Sequence, residues 1–382
     1  MRARALGRPG SGPAPAEAMR KGWKKKLCVA GFATLAIAAL ATTTVCLTSG
    51  CGSLAYLAQS ANGHLSLLSA ARPVPEWLTD SATPPALRER LVLSQQMRDF
   101  AVDTLALPDN ASYRRYAELH RGAAEWNVVA APELSLTLET WCFPVVGCVG
   151  YRGYFNRADA DALAETLRAR GLEVNVYGVP AYSTLGRLPG AYFADPLLST
   201  FINYPEVELA RMIFHELAHQ VAFASGDTMF NESFATAVER IGSRRWMAER
   251  AGVAAVADYQ AFDARRQDFR ALTTRTREAL EALYASSASD DDKRADKAAL
   301  MQRMRADYAA LRDGPWHGYA GYDAWFERAN NASFGMLAAY TELVPQFERL
   351  FEREGRDPAR FYAAVRQLAS LPKEERRATL GP

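Results

Sequence analysis

The segment His215-Glu216-Leu217-Ala218-His219 lies within an apolar run and has the pattern H-E-x-x-H. On a helix, residues four positions apart lie on the same face, so the two imidazoles can bind one metal ion. The glutamate between them can then reach a water molecule that the metal activates. A chain with only five histidines contains this pattern by chance in roughly 0.4 % of cases, so the motif predicts zinc-dependent hydrolysis. The alternative is a pair of hydrogen-bonded core histidines.

A third metal ligand is predicted shortly after the motif. Residues 206–223 are apolar almost all round, which indicates a buried helix, and residues 225–228 have the composition of a turn. A second helix from about residue 231 to 250 would then place Glu232 in its first turn, where the helix dipole favours a carboxylate. If the two helices fold back on each other, His215, His219 and Glu232 form a catalytic set for one Zn²⁺ ion with its fourth position open. Without a metal, Glu232 is only a favourable charge at a helix start.

Two further acids near the motif have two interpretations each. Glu239 lies seven residues after Glu232, on the same helical face, and can orient a histidine ligand from behind. Alternatively, Glu239 pairs with an arginine that is close in sequence. Asp227 is either another group behind the ligands or simply a turn residue.

The first fifty residues differ from the rest of the chain. A basic stretch, Arg20–Lys26, precedes an uncharged segment, Leu27–Leu47, and small residues then lead to Cys51. This pattern predicts a leader over residues 1–50 with a lipobox and lipidation of Cys51, although Leu47 stands one place too early for the usual motif. The alternative is an uncleaved membrane anchor. We expect a lipid-anchored protein of the cell envelope, on the periplasmic side, and the residue after Cys51 favours the outer membrane over the inner.

The remaining cysteines and the net charge narrow the environment and the partners. Cys142 and Cys148 are six residues apart, and in an oxidising compartment such a pair favours a disulfide that closes a tight loop. The alternative is two free buried thiols. The chain has 45 basic and 43 acidic residues and no basic stripe, which argues against nucleic acid as a partner.

The pattern along the chain predicts an α+β fold that is mostly helical. Short strands are expected at Trp126–Ala130, Leu134–Trp141, Tyr151–Phe155 and Leu172–Tyr177. Residues 254–283 and 293–311 are predicted to form a helical hairpin with a polar hinge at 286–292. We expect one domain over residues 51–382, in which a sheet-containing part (about 51–204) precedes the metal site and a helical part (about 205–382).

Several segments resemble a known family, the zinc aminopeptidases of bacterial lipoprotein type, which are gluzincin-like H-E-x-x-H metallopeptidases. The segments are Gly63–Leu65, Ala71–Pro73, Trp141–Cys148, Tyr182–Gly186, Asp195–Phe201, the metal helix, Asn231–Ala235, Asn330–Ala332 and Tyr340–Phe347. The resemblance covers essentially the whole chain after the leader. It implies a membrane-attached, zincin-like metallopeptidase with a glutamate as third ligand, a small sheet packed on the metal helix and peptides as substrates.

The chemistry assigns roles to some residues and leaves others open. Glu216 is the expected general base, which accepts a proton from water and passes it to the leaving amine. An oxyanion also needs a donor. The candidates are Tyr182, His317, Tyr319, Tyr322 and Tyr340, of which His317 is favoured because it lies in a glycine-rich aromatic loop.

Exopeptidase activity is not the only possible outcome. An aminopeptidase must bind the free amine of its substrate, usually with a carboxylate, and no residue identifies itself for that task in the sequence. An endopeptidase therefore stays open as an alternative. So does an envelope lipoprotein that uses the same fold only for binding, although the intact Glu216 argues against this.

Overall fold

The computed structural model describes residues 51–143, 147–181 and 190–381. Internal contacts divide the chain into two units, residues 1–62 and residues 63–382, and the first described helix runs across that division. The predicted leader, residues 1–50, lies outside the described residues. Among the helices that are described, none combines the length and the apolar character needed to cross a bilayer.

The architecture is α+β and mostly helical, which confirms the predicted fold class. Short strands occupy the middle of the chain and long helices follow them. In chain order the elements are α1 (Cys51–Ala70), β1 (Arg72–Pro73), α2 (Val74–Thr79), α3 (Pro85–Asp103), β2 (Arg115–Ala117), β3 (Glu125–Pro132), β4 (Trp141–Phe143), β5 (Gly147–Val149), β6 (Arg152–Tyr154), α4 (Arg157–Ala169), β7 (Leu172–Val179), a 3₁₀ turn (Ala191–Phe193), β8 (Leu197–Leu198), α5 (Glu206–Ala218), α6 (Thr228–Glu249), α7 (Val253–Ala285), α8 (Asp290–Asp313), α9 (Asp323–Arg328), α10 (Asn331–Thr341), α11 (Val344–Arg353), α12 (Pro358–Ser370) and α13 (Lys373–Leu380).

The central sheet has the strand order β6-β3-β7, and both neighbours of β3 run antiparallel to it. Small and β-branched residues of β3 are fully buried, because α4 packs on the sheet and α10 packs on it as well. The predicted strand Leu134–Trp141 is wrong. Its residues have strand-forming composition, and the Glu139 amide does donate to the Ala130 carbonyl of β3 at 2.8 Å. Leu136 and Leu138 pack against apolar clusters, however, no regular ladder forms, and only Trp141 becomes part of a strand, β4.

The sheet makes its main contacts with α4 and α10, and α10 in turn packs on α6. The metal helix of the prediction, α5, packs chiefly on α6, and also on α3 and α7. The sheet was expected to pack directly on the metal helix, but a contact between the sheet and α5 is not among the main contacts of the described residues. Instead, α10 connects the sheet to the helix pair α5 and α6.

The pair α5 and α6 forms the predicted helix-turn-helix with different bounds. Helix α5 ends at Ala218, with His219 as its C-cap, and does not continue to Phe223. Asp227 accepts a hydrogen bond from the Phe230 amide and starts α6 early, so Glu232 lies in its second turn and not in its first. The Asn231 side chain holds both backbone groups of Ala224 at 2.8 and 2.9 Å and thereby closes the turn.

The helical hairpin α7–α8 and the disulfide complete the framework. Ser289 caps α8, so Asp290, Asp291 and Asp292 form its first turn and do not belong to the hinge, which was predicted to extend over residues 286–292. Acidic residues at this end interact favourably with the helix dipole. Cys142 and Cys148 face each other across β4 and β5 and are disulfide-bonded.

Candidate metal centre

Helices α5 and α6 bring three potential metal ligands together at their interface. The Nε2 atoms of His215 and His219 are 3.2 Å apart, and Glu232 Oε2 lies 3.4 Å from the first and 3.7 Å from the second. In a tetrahedral zinc site with bonds of about 2.1 Å, ligand atoms are about 3.4 Å apart. The three donor atoms thus have the spacing of three corners of such a site.

The local structure explains this spacing. His215 is in the last turn of α5 and His219 caps its end, so the two rings lie one turn apart on the same face. Helix α6 then runs back along α5, because the turn that Asn231 and Asp227 hold together reverses the chain. Gly242 permits close packing, since an added Cβ there would lie 2.7 Å from side-chain atoms of Phe214 and Leu105.

The surroundings of the two imidazoles are rich in negative charge. Burial opposes the charged form of His215, but hydrogen bonds to Glu232 and Glu239 outweigh it and hold the pKa of His215 well above its ordinary value. Burial alone would raise the pKa of Glu232, yet the two histidines lower it to about 2. Both directions mean that the cluster favours additional positive charge, which a divalent cation would supply.

A chain of charged groups extends from His215 away from the ligand atoms. His215 Nδ1 lies 3.1 Å from Glu239 Oε2, and the other oxygen of Glu239 accepts a hydrogen bond from Arg211. Arg211 also contacts Glu208 at 3.3 Å, and Glu208 pairs with Arg266 at 2.6 Å. Carboxylates behind a ligating histidine orient the ring and increase its basicity, so Glu239 occupies the position predicted for such a group.

The second histidine lacks this support. His219 Nδ1 is buried and has no hydrogen-bond partner among the residues that the structure describes. The two potential ligands therefore differ, because the orientation of His215 is determined by a carboxylate and that of His219 by packing in the helix cap. Asp227 is not part of this environment. It caps α6 and forms ion pairs with Arg376 and Arg377, so the interpretation as a turn residue holds.

Glu216 follows His215 directly on α5 and is only partly accessible. Burial raises the pKa of Glu216, the two histidines oppose this, and Glu232 and Glu239 add to it. Its carboxylate makes no ion pair with any described residue. An unpaired carboxylate with a raised pKa, next to the potential ligands, is suited to accept a proton near neutral pH.

Three of the five candidate oxyanion donors, His317, Tyr319 and Tyr322, have side chains that the structure describes. His317 is exposed on the loop after α8, with a positive φ of 51°, and is absent from the ligand group found among the described residues. Tyr322 stacks on Phe269 with ring centroids 4.5 Å apart, and Tyr319 packs under Arg265. Both tyrosines pack against an apolar cluster that includes Phe269, Trp316 and Phe326. Tyr182 and the side chain of Tyr340 lie outside the description.

Sequence reasoning did not find two members of the charged chain. Arg211 lies one turn before His215 on α5, a spacing that could have indicated a shared face. Arg266 lies 58 residues from Glu208 on another helix, and no local pattern connects them. For Glu239 the sequence suggested pairing with Arg240, Arg244 or Arg245, and the structure pairs it with Arg211.

A separate cleft of about 790 Å³ lies elsewhere on the larger unit, beside the disulfide. Its lining includes Leu138, Met229, Lys373 and Arg377 but none of the three potential ligands. We assign the candidate site to the ligand cluster, because among the described residues the groups with metal-binding and acid–base chemistry converge there.

Comparisons with known proteins give one positive result. A search of curated proteins and a search of solved structures both returned no match. The model of a protein family described as "Putative aminopeptidase" matches residues 55–380, which include α2 to α13, all the strands and the ligand cluster. A match over most of the chain establishes membership, and the chain belongs to the "Putative aminopeptidase" family.

Proposed function

We propose that the protein is a zinc-dependent aminopeptidase in which His215, His219 and Glu232 bind one Zn²⁺ ion. The single observation that supports the proposal best is the separation of the three ligand atoms, 3.2, 3.4 and 3.7 Å, in a cluster that favours added positive charge. Two nitrogen ligands and one oxygen ligand with an open fourth position are typical of catalytic zinc sites. The family name supports peptidase activity in general.

Bound zinc would supply Lewis acidity, which polarises a peptide carbonyl and makes water more acidic near neutral pH. Glu216 accepts the proton of the attacking water and returns it to the nitrogen of the leaving amine. Glu239 accepts a hydrogen bond from the Nδ1–H group of His215, which keeps the proton on Nδ1 and leaves Nε2 free as a ligand atom. Arg211 forms an ion pair with Glu239 and so favours the ionised form of this carboxylate.

The full chain, purified in detergent, would be assayed for bound zinc and for hydrolysis of three substrates: an aminoacyl anilide, a peptide with a free N-terminus and the same peptide acetylated. We expect one zinc per chain and cleavage that requires a free amine. Glu216→Gln should retain zinc and lose about 10³- to 10⁴-fold in kcat, because only the proton transfer is removed.

The outcomes separate the alternatives. Cleavage of the acetylated peptide would favour a zinc endopeptidase. A zinc-loaded wild type that cannot be distinguished from Glu216→Gln on any substrate would favour a non-enzymatic binding module. Absence of zinc after purification in zinc-containing buffer would contradict the ligand assignment itself.

We also propose that Cys51 carries a lipid and holds the protein at the periplasmic side of the cell envelope. Of the two membranes, we favour the outer over the inner. The support is the sequence pattern of residues 20–51, since the leader lies outside the described residues. Membrane fractionation and labelling with a fatty-acid analogue would test this, with Cys51→Ala beside the wild type. Label in wild type but not in Cys51→Ala is expected. Unlabelled wild type that still fractionates with membranes would favour the uncleaved anchor.

A further inference from the structure

One face of the central sheet ends in polar side chains. Asn127 of β3 lies directly opposite Gly153 of β6 and Tyr177 of β7. Glu125 precedes Asn127 by two residues on β3. Side chains two residues apart on a strand point to the same side, so all four positions share one face. We call Glu125, Asn127, Gly153 and Tyr177 the polar end of the sheet.

The rest of this face has an apolar cover. Val129 and Ala131 continue β3 beyond Asn127, and they are fully buried against Ala332 and Met336 of α10. The Tyr177 ring borders this apolar cluster. The polar end thus begins where the cover by α10 stops.

The polar groups there have few partners. Asn127 is only 6 % exposed, yet neither its Oδ1 nor the Tyr177 hydroxyl has a partner of good hydrogen-bond geometry among the described residues. Glu125 likewise forms no ion pair with a described residue. Arg121 is near enough to act on its charge, but two donors of Arg121 bind the carbonyls of Phe155 and Ala124. Buried polar groups whose hydrogen bonds are poor or missing are costly, so their retention needs an explanation.

Glycine at position 153 leaves the space that the Glu125 carboxylate occupies. An added Cβ would overlap with Glu125 Oε1 and would lie 3.1 Å from Asn127 Oδ1. Burial raises the pKa of Glu125 to about 7, against the opposing charge of Arg121. A cation placed beside this carboxylate would favour its ionised form.

The polar end is also connected electrostatically to the metal centre. Burial raises the pKa of Tyr177, a contact with Asn127 opposes the rise, and the charges of Glu232 and Glu125 both add to it. The geometric connection is α10, which packs on β3 and β7 and also on α6, the helix that carries Glu232. A substrate that is bound at the ligand cluster and extends toward β7 would bring its first residue to the polar end.

We propose that the polar end binds the free α-ammonium group of peptide substrates, with Glu125 as its counter-charge and Asn127 Oδ1 and the Tyr177 hydroxyl as further acceptors. An ammonium group has three donors and no acceptor, and this end of the sheet offers three acceptors and one negative charge. The inference rests on the proposed aminopeptidase function and names the group that selects for a free N-terminus. Glu125 would be the substrate-binding carboxylate that the sequence alone did not reveal.

The test compares two zinc-binding probes, leucine hydroxamate and N-acetyl-leucine hydroxamate, whose affinities for the zinc-loaded full chain are measured by calorimetry. We expect the wild type to prefer the free amine by about 100-fold, because the acetylated probe cannot form the ion pair with Glu125. Glu125→Gln should reduce this preference to about threefold or less while affinity for the acetylated probe is unchanged. Gly153→Ala should do the same, because its Cβ displaces the carboxylate.

Two matched variants serve as controls. Glu139→Gln removes a carboxylate that pairs with Arg170 at the surface, and Gly122→Ala adds a Cβ where nothing lies within 4 Å. Both should keep the wild-type preference. If Glu125→Gln and Gly153→Ala also keep it, the inference is wrong although the proposed function stands. If the zinc-loaded wild type binds neither probe and cleaves no peptide, the proposed function fails, and this inference with it.

Discussion

At the candidate metal centre, His215 is linked through Glu239 and Arg211 to Glu208 and Arg266, so each charge on this path has an opposite charge as its neighbour. At the polar end of the sheet, Glu125 has no ion-pair partner within the described part of the chain. Both places are largely buried, so the difference is not one of solvent exposure. This difference suggests that the ligand cluster is organised to retain a metal ion. The polar end of the sheet is instead organised to bind the ammonium group of a substrate, which arrives and leaves with it.

The largest expected effect comes from removal of a ligand at the metal centre. Glu232→Gln should weaken zinc binding by more than about 100-fold, because changes even behind the ligands cost about 10- to 100-fold. Activity should fall to background at trace zinc. Competition with a fluorescent chelator measures the affinity, and Glu249→Gln, an exposed position at the end of the same helix, is the control. Full zinc affinity in Glu232→Gln would contradict the assignment.

A smaller effect on zinc affinity is expected from a change at Glu239, which contacts the ligand His215 at its other ring nitrogen. Glu239→Gln should lower zinc affinity by about 10- to 100-fold, because the ring of His215 loses the carboxylate that orients it. It should also destabilise the fold by about 2–4 kcal/mol, because buried Arg211 loses an ionised partner. The same zinc competition and a chemical denaturation curve measure the two effects. Glu348→Gln is the control, since its partners Arg240 and Arg244 are more exposed. An unchanged zinc affinity would mean that Glu239 serves Arg211 alone.

The smallest expected effect is on the free energy of unfolding, which the unpaired carboxylate of Glu125 lowers. The pKa of Glu125 is about 7 in the folded chain, and an unfolded glutamate titrates at about 4.3, so between these values the folded state binds more protons. Stability therefore falls as the pH rises from about 4 to 7, and the full cost is present above 7. Glu125→Gln should raise the free energy of unfolding by about 1–2 kcal/mol at pH 8, and by far less at pH 4.

Denaturation of both proteins at the two pH values measures this difference, with Glu139→Gln as the control for a surface carboxylate. A gain that is equal at both pH values would mean that packing, not ionisation, causes it. No gain at pH 8 would mean that Glu125 has a counter-charge in solution, and the contrast with the metal centre would disappear.

The sequence predicted the set of candidate metal ligands better than it predicted the helices and strands around them. The spacing of His215 and His219, the turn after them and Glu232 on the returning helix are all local features, and the structure brings these residues together. The helix bounds were less accurate, because Asp227 and Asn231 start and secure α6 through side-chain hydrogen bonds that no periodicity reveals. The strand predicted at Leu134–Trp141 failed for another reason: its composition indicates a strand, but Leu136 and Leu138 pack against apolar clusters and no regular pairing with β3 forms.

What the sequence determined by itself is the set of short-range neighbours: two imidazoles one helical turn apart, a glutamate between them, and two cysteines close enough to bond. Contacts between distant segments were decided only by the tertiary structure. Glu239 meets His215 across 24 residues, and Asn127 meets Gly153 and Tyr177 across the sheet. The physical reason is that backbone geometry limits the distance between near neighbours, whereas the packing of whole helices and strands determines which remote side chains share a buried space.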